Sequence, residues 1–175
     1  MEKQKILFVV DMQNDFIDGV LGSEDARAIV PAVAKKIKDF NGEIVFTQDT
    51  HLPDRYFQTQ EGRKLPIFHC MKNTEGWQIN KDVLAAAETK GAYTVFEKST
   101  FASTSITIPI RAAKATEVEF IGICTDICVI SNVMYLKALY PEMKITVDSK
   151  CCAGTTPEAH NAALTVMKSC QIDVI

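Results

Sequence analysis

Apolar-rich stretches and amphipathic helical segments alternate along almost the whole chain, and this alternation limits the possible folds more than any other feature. The stretches at 6–10, 43–47, 93–97, 118–124, 144–147 and 172–175 are too short for buried helices and read as strands. Between them, apolar residues recur at helical spacing over 25–40, 81–89, 103–113, 127–140 and 157–168, with Thr107 and Pro109 weakening the third of these. Asn41-Gly42 closes the first helix, and Thr125-Asp126 stands where it could cap the fourth. Apolar strands separated by helices form a parallel sheet covered on both faces. The expectation is an α/β fold, a Rossmann-like three-layer sandwich over 1–175 with a six-stranded, mostly parallel sheet.

Composition narrows the function. A chain of 175 residues, 47% of them hydrophobic and 23% charged, can bury one core. Nineteen basic residues against 22 acidic ones give a net charge of −3 with no basic run, which argues against a nucleic-acid partner. The lead-in Met1-Glu2-Lys3-Gln4-Lys5 runs straight into a short strand broken by Asp11, the pattern of neither a signal peptide nor a membrane span. Six cysteines without cystine-framework spacing point to reduced thiols and a cytoplasmic address.

In folds of this class, ligands bind outside the carboxyl ends of the strands. Asp11 ends the first strand, Asp49 lies just past the second, Lys98 ends the third and Cys128 follows the fourth. Singly, each has an ordinary role: turn acid, solvated lysine, small buried hydrophobe. Together, an acid, a base and a thiol on one rim can form a nucleophilic triad in which Asp11 and Lys98 tune the sulfur. A thiol in the first turn of a helix is also expected to have a lowered pKa, because free backbone N–H groups favour thiolate.

The segment 48–80, roughly 30 residues, is too long for a plain connection and is expected to be functional. Asp49-x-His51 offers two ligands on one extended segment, and His69 returns about 18 residues later. Such a set suits zinc, or less specifically iron or manganese, although the same residues can also be hydrogen-bonded loop residues. Cys124-x-x-x-Cys128 does not have the spacing of common zinc or thioredoxin motifs. Cys151-Cys152 reads as packing, His160 as a structural histidine, and Trp77 as an anchor for the long loop or a subunit contact.

At these positions the chain resembles the isochorismatase-like cysteine hydrolases, and within them the nicotinamidases. The resemblance rests on five motifs in order: Phe8-Val9-Val10-Asp11-Met12-Gln13-Asn14-Asp15-Phe16, Thr47-Gln48-Asp49-Thr50-His51, Leu65-Pro66-Ile67-Phe68-His69-Cys70, Glu97-Lys98-Ser99-Thr100-Phe101 and Gly122-Ile123-Cys124-Thr125-Asp126-Ile127-Cys128-Val129. It implies an amidase with the triad Asp11, Lys98 and Cys128 and an oxyanion hole from the backbone N–H groups of Cys124 and Cys128. It also implies a cis peptide at Ile123–Cys124, a metal at Asp49, His51 and His69 that binds a pyridine nitrogen, and a homo-oligomer. Phe16, Phe101 and Ile127 would line a slot for a flat ring, although Phe16 and Phe101 could equally be core. The chain departs from the nicotinamidase pattern in two places. It lacks a further histidine within 52–57, for which Glu61 is the substitute ligand, and it has Leu65 near the place of a common tryptophan. The implied reaction is hydrolysis of nicotinamide to nicotinate and ammonia through a thioester. The alternatives are a metal-free amidase of another small amide or ureido substrate, and a non-catalytic thiol sensor.

Overall fold

A computed structural model describes residues 4–175 of the chain, so most of the lead-in 1–5 lies outside the described residues. Six strands form one sheet in the order β3-β2-β1-β4-β5-β6, and every adjacent pair is parallel. They are β1 (Lys5–Val10), β2 (Glu43–Asp49), β3 (Tyr93–Lys98), β4 (Glu117–Ile123), β5 (Lys144–Ala153) and β6 (Asp173–Val174). The sheet is thus wholly rather than mostly parallel.

The two-residue period of the strands sorts the core into two layers. Ile6, Phe8 and Val10 face one cluster with Phe120, Val133, Leu136 and Met167, where Phe8 and Phe120 stack at 5.0 Å. That layer is closed by α5 (Thr107–Ala113), α6 (Ile130–Leu139) and α7 (Pro157–Ser169). Leu7 and Val9 face the opposite cluster with Val33, Ile37, Phe46 and Val83, closed by α2 (Glu24–Asp39) and α4 (Lys81–Glu88). Both faces of the inner strands are dry, which explains their near-continuous apolar runs.

Local details differ from expectation for identifiable reasons. Helix α2 starts at a Ser23 cap, whose side chain accepts from the Ala26 N–H, and it ends on extended backbone at Phe40 rather than on Asn41-Gly42. Strand β5 runs on through Cys151 and Cys152 to Ala153, beyond the expected 144–147. Its polar middle looks like a turn in sequence, but the Asp148 carboxylate pairs with Lys36 at 2.9 Å and the Ser149 N–H donates to the Ile175 carbonyl. The pairing with β4 shifts register between Phe120 and Gly122 to absorb it. Gly122 has φ +121°, and a Cβ there would meet the Val10 carbonyl oxygen at 2.1 Å. Only glycine lets β1 and β4 approach this closely at the end of the strand that leads to the nucleophile.

The long loop holds a 3-10 turn at Tyr56–Gln58 and the short helix α3 (Gln60–Lys64). A further short helix, α1 (Asn14–Ile17), follows β1 and was not anticipated. The segment after β1 ties the loop down. Gln13 Nε2 donates to the Asp49 and Trp77 carbonyls, the Asn14 N–H donates to Gln78, and Asp15 Oδ2 accepts from the Cys70 N–H at 2.7 Å. Trp77 Nε1 donates to Thr50 Oγ1 at 2.8 Å, so the lone tryptophan serves the loop itself.

Candidate active site

Asp11 turns out of β1 with φ +48°, a left-handed conformation that aspartate tolerates better than most residues. Its carboxylate is fully buried, accepts from Thr47 Oγ1 at 2.7 Å and lies 2.7 Å from Lys98 Nζ. Lys98 Nζ is also 3.6 Å from Cys128 Sγ and 3.5 Å from Asp49 Oδ1. The four strand-end residues therefore meet in one buried group, centred on the ammonium. Burial alone would lower the lysine's pKa, but the Asp11 and Asp49 carboxylates hold it above the usual lysine range.

Cys128 does not have the lowered pKa that a helix start predicts. Burial, and after it the adjacent Asp11 carboxylate, push the thiol well above its ordinary range, and the Lys98 charge offsets this only in part. The local backbone contributes to the difference. Thr125–Val129 forms a π-helical turn, and α6 begins only at Ile130. Thr125 and Asp126 do not cap it. The Thr125 hydroxyl meets His160 Nδ1 at 2.8 Å, and Asp126 accepts from the N–H and hydroxyl of Thr155. The resting nucleophile is a neutral thiol, so attack requires a base. Asp11 and Cys128 both flank the Lys98 ammonium, at 2.7 and 3.6 Å, and burial raises the Asp11 pKa despite the opposing pull of Lys98, which suits a group that must carry a proton.

The Ile123–Cys124 peptide is cis, and the Cys124 N–H donates to no group among the described residues. That leaves an amide free to meet an oxyanion beside the thiol.

Asp49, His51, Glu61 and His69 converge as the second constellation, with one ligand atom from each within 4.8 Å of all the others. His51 Nε2 lies 3.0 Å from Asp49 Oδ2 and 3.7 Å from Glu61 Oε1, and His69 Nε2 lies 3.7 and 3.5 Å from the same two oxygens. Donors around a tetrahedral metal with bonds near 2.1 Å sit about 3.4 Å apart, so these separations fit. His51 Nε2 is buried with no aligned hydrogen-bond partner. His69 Nδ1 faces the Ile67 carbonyl at 2.9 Å and the Tyr56 hydroxyl at 3.2 Å, and that hydroxyl donates to the Leu65 carbonyl. Both neighbours can only accept, so Nδ1 carries a proton and Nε2 is the nitrogen turned toward the two carboxylates. Burial pushes the His69 pKa down, but Glu61, the Ile67 carbonyl and Asp49 raise it by more. Two carboxylates facing two imidazoles make a site that favours a cation, and its residues fit a divalent metal.

Asp49 joins the two constellations, one oxygen toward Lys98 and the other toward the histidines. The expected ring-slot residues are placed less uniformly. Phe16 is half-buried and packs against His69 with ring centroids 5.6 Å apart. Phe101 is exposed, while Ile127 packs partly into the core. Sequence reasoning missed Asn132, which is fully buried one helical turn after Cys128. Its Nδ2 donates to the Cys128 and Phe101 carbonyls, and its Oδ1 accepts from the Ser103 N–H, tying the segment after Lys98 to the nucleophile's turn. Its signal is a polar residue on an otherwise apolar helix face. Thr47, which orients Asp11, carries the same signal at the end of β2.

His160 bears out its structural reading and adds a pH dependence. Burial lowers its pKa below the ordinary 6.5, against the opposing pull of Asp126 and Asp25. The unfolded chain therefore takes up a proton at higher pH than the folded one. The resulting stability is complete above about pH 6.5 and is lost as pH falls below it. In thermal melts, His160→Asn is expected to lose less Tm than wild type between pH 7 and pH 5. Equal losses would show that His160 does not contribute to acid sensitivity.

Comparison with known proteins places this geometry in a family. The isochorismatase domain model matches residues 5–175. An uncharacterized isochorismatase family protein, PncA of Bacillus subtilis, is 31% identical over 173 residues, covering 92% of each chain. The crystal structure of nicotinamidase/pyrazinamidase PncA from Bacillus subtilis superposes with a TM-score of 0.85 at 27% identity, covering 98% of both chains. N-carbamoylsarcosine amidase from Thermoplasma acidophilum superposes with a TM-score of 0.78 at 26% identity, covering 98% of this chain and 95% of that one. With the sheet order, the strand-end cluster and a match over nearly its full length in agreement, this chain belongs to the isochorismatase family.

Proposed function

We propose that this amide-bond hydrolase of the isochorismatase family converts nicotinamide to nicotinate and ammonia. The observation that carries the reading is the contact between two buried constellations. An acid–ammonium–thiol group lies against a two-carboxylate, two-imidazole metal site, and Asp49 is shared by both. A thiol hydrolase of aliphatic amides has no evident use for the second.

The chemistry follows from the protonation states. Asp11 takes the Cys128 proton as the sulfur attacks the carboxamide carbon. The oxygen becomes an oxyanion facing the Cys124 and Cys128 N–H groups. Asp11 returns the proton to the amide nitrogen, the C–N bond breaks, and ammonia leaves behind a Cys128 thioester. Asp11 then deprotonates water, which attacks the thioester, and the sulfur recovers its proton as the carboxylate departs. Lys98 stays charged throughout and keeps Asp11 in register. Asp49, His51, Glu61 and His69 would hold a divalent metal, with zinc, iron and manganese all suited to the donors, and it would supply a Lewis-acidic anchor for a pyridine nitrogen. Phe16 packs against His69 beside that anchor, and Phe101 and Ile127 would complete the slot.

One observation favours a second reading: the fold is shared with an N-carbamoylsarcosine amidase. A ureido substrate would then use the same triad without the metal. Ammonia release from nicotinamide, measured alongside metal content, separates the two. Wild-type protein is expected to carry about one divalent metal per chain and to turn nicotinamide over, and His69→Ala is expected to lose both. Turnover of ureido compounds by metal-free protein, with none of nicotinamide, establishes the second reading. Failure to hydrolyse any amide when metal-replete returns the chain to the thiol-sensor class. Six free cysteines fit a reducing cytoplasm, and no helix among the described residues is long and apolar enough to cross a membrane. A homo-oligomer remains part of the proposal.

A further inference from the structure

Thr125 follows the cis peptide directly and is fully buried, and among the described residues its hydroxyl has one partner, His160 Nδ1 at 2.8 Å. The direction of this bond can be deduced. If the ring donated from Nδ1, the buried hydroxyl hydrogen would have no acceptor. Thr125 therefore donates, and His160 is the neutral tautomer with its proton on Nε2. The adjacent Asp126 makes a second tie to the same place, accepting from the Thr155 N–H and hydroxyl at 2.8 and 2.5 Å. A Cβ on Gly154 would meet the His160 Cβ at 2.8 Å and Asp126 Oδ1 at 2.9 Å, so a glycine is needed for α7 to come this close. Two consecutive residues of the nucleophile's turn are thus clamped by α7 and the loop that leads into it, neither of which contributes to the triad or the metal set.

We propose that His160 is a positioning residue of amide hydrolysis. Through the Thr125 hydroxyl it fixes the Cys124–Thr125 backbone so that the Cys124 N–H faces the developing oxyanion. The inference rests on the oxyanion role given to Cys124 above. An oxyanion donor acts in the transition state, so loosening it lowers kcat and leaves KM nearly unchanged.

The test uses His160→Leu, which keeps bulk but offers no acceptor, His160→Asn, which can place an oxygen near the Nδ1 position, and Thr125→Val, which removes the donor from the other side. In ammonia release from the substrate of the wild-type enzyme, His160→Leu and Thr125→Val are each expected to lose roughly 100-fold in kcat with KM within about twofold. His160→Asn is expected to recover most of the activity, and the double variant His160→Leu/Thr125→Val to be no worse than either single one. Wild-type kcat in His160→Leu, additive losses in the double variant, or a change confined to KM overturns the proposal. If His160→Leu does not fold, Thr125→Val and His160→Asn decide the matter by the same criteria. A wild-type protein that hydrolyses no amide defeats the amidase reading itself, a different result from an active wild type with an equally active His160→Leu.

Discussion

Cys128→Ala is expected to release no ammonia above background from any amide, a loss of at least about 10⁴-fold in kcat, while keeping its fold. Among the described residues, Cys128 is the sulfur in contact with Lys98 Nζ, and without it no thioester can form. The more informative partner experiment is Asp11→Asn. The substitution is isosteric and keeps the Thr47 contact, but an amide cannot accept the thiol proton. Burial, the largest cause that holds Cys128 as a thiol, survives the substitution; losing the Asp11 charge works the other way, but no carboxylate is left to accept the proton. A loss of roughly 10²–10⁴-fold is expected. An Asp11→Asn enzyme retaining more than about a tenth of wild-type kcat would mean that Asp11 is not the base that takes the thiol proton.

Lys98→Met is expected to cost stability as well as activity. Its ammonium is almost completely buried and lies between two buried carboxylates, 2.7 Å from one and 3.5 Å from the other. Removing one partner of such a group leaves uncompensated charge in the interior, at a cost of about 3–5 kcal/mol. Urea titration should show this as a lowered midpoint with an unchanged slope. Adding Asp11→Asn to Lys98→Met removes one stranded carboxylate and should return part of the stability but none of the activity. A Lys98→Met protein as stable as wild type would contradict the assignment of the ammonium as the charge that holds the two acids together.

Much of this was legible in the sequence because it depends on periodicity and on strand ends. Parity along β1 predicts which side chains share a face, and the carboxyl-end rule selects Asp11, Asp49, Lys98 and Cys128, which the fold does bring together. Glu61 was named as the substitute ligand, and α3 brings it within 3.5–3.7 Å of both histidine nitrogens. What escaped depends on long-range partners. The strand character of Asp148 to Lys150 follows from contacts with Lys36 and the C-terminal residue, neither of which is near in sequence. Thr125 and Asp126 look like helix caps because their side chains suit that role, yet partners on the following β–α unit claim them first. The thiol's protonation was misjudged for a related reason. A helix start is a local feature, whereas desolvation and an acid from another strand are not.

Asp11 leaves β1 and the nucleophile's turn leaves β4, both interior strands, but Lys98 rides on β3, which is hydrogen-bonded on one side only and has half of its residues exposed. Edge elements open at lower free energy than the centre of a sheet. Mild denaturant should therefore silence the enzyme while the rest of the sheet is still intact, with the β3 amides exchanging hydrogen before those of β1. Coincident loss of activity and global structure would show β3 to be as firmly held as the centre. An edge strand carries the charge on which the other two catalytic groups depend.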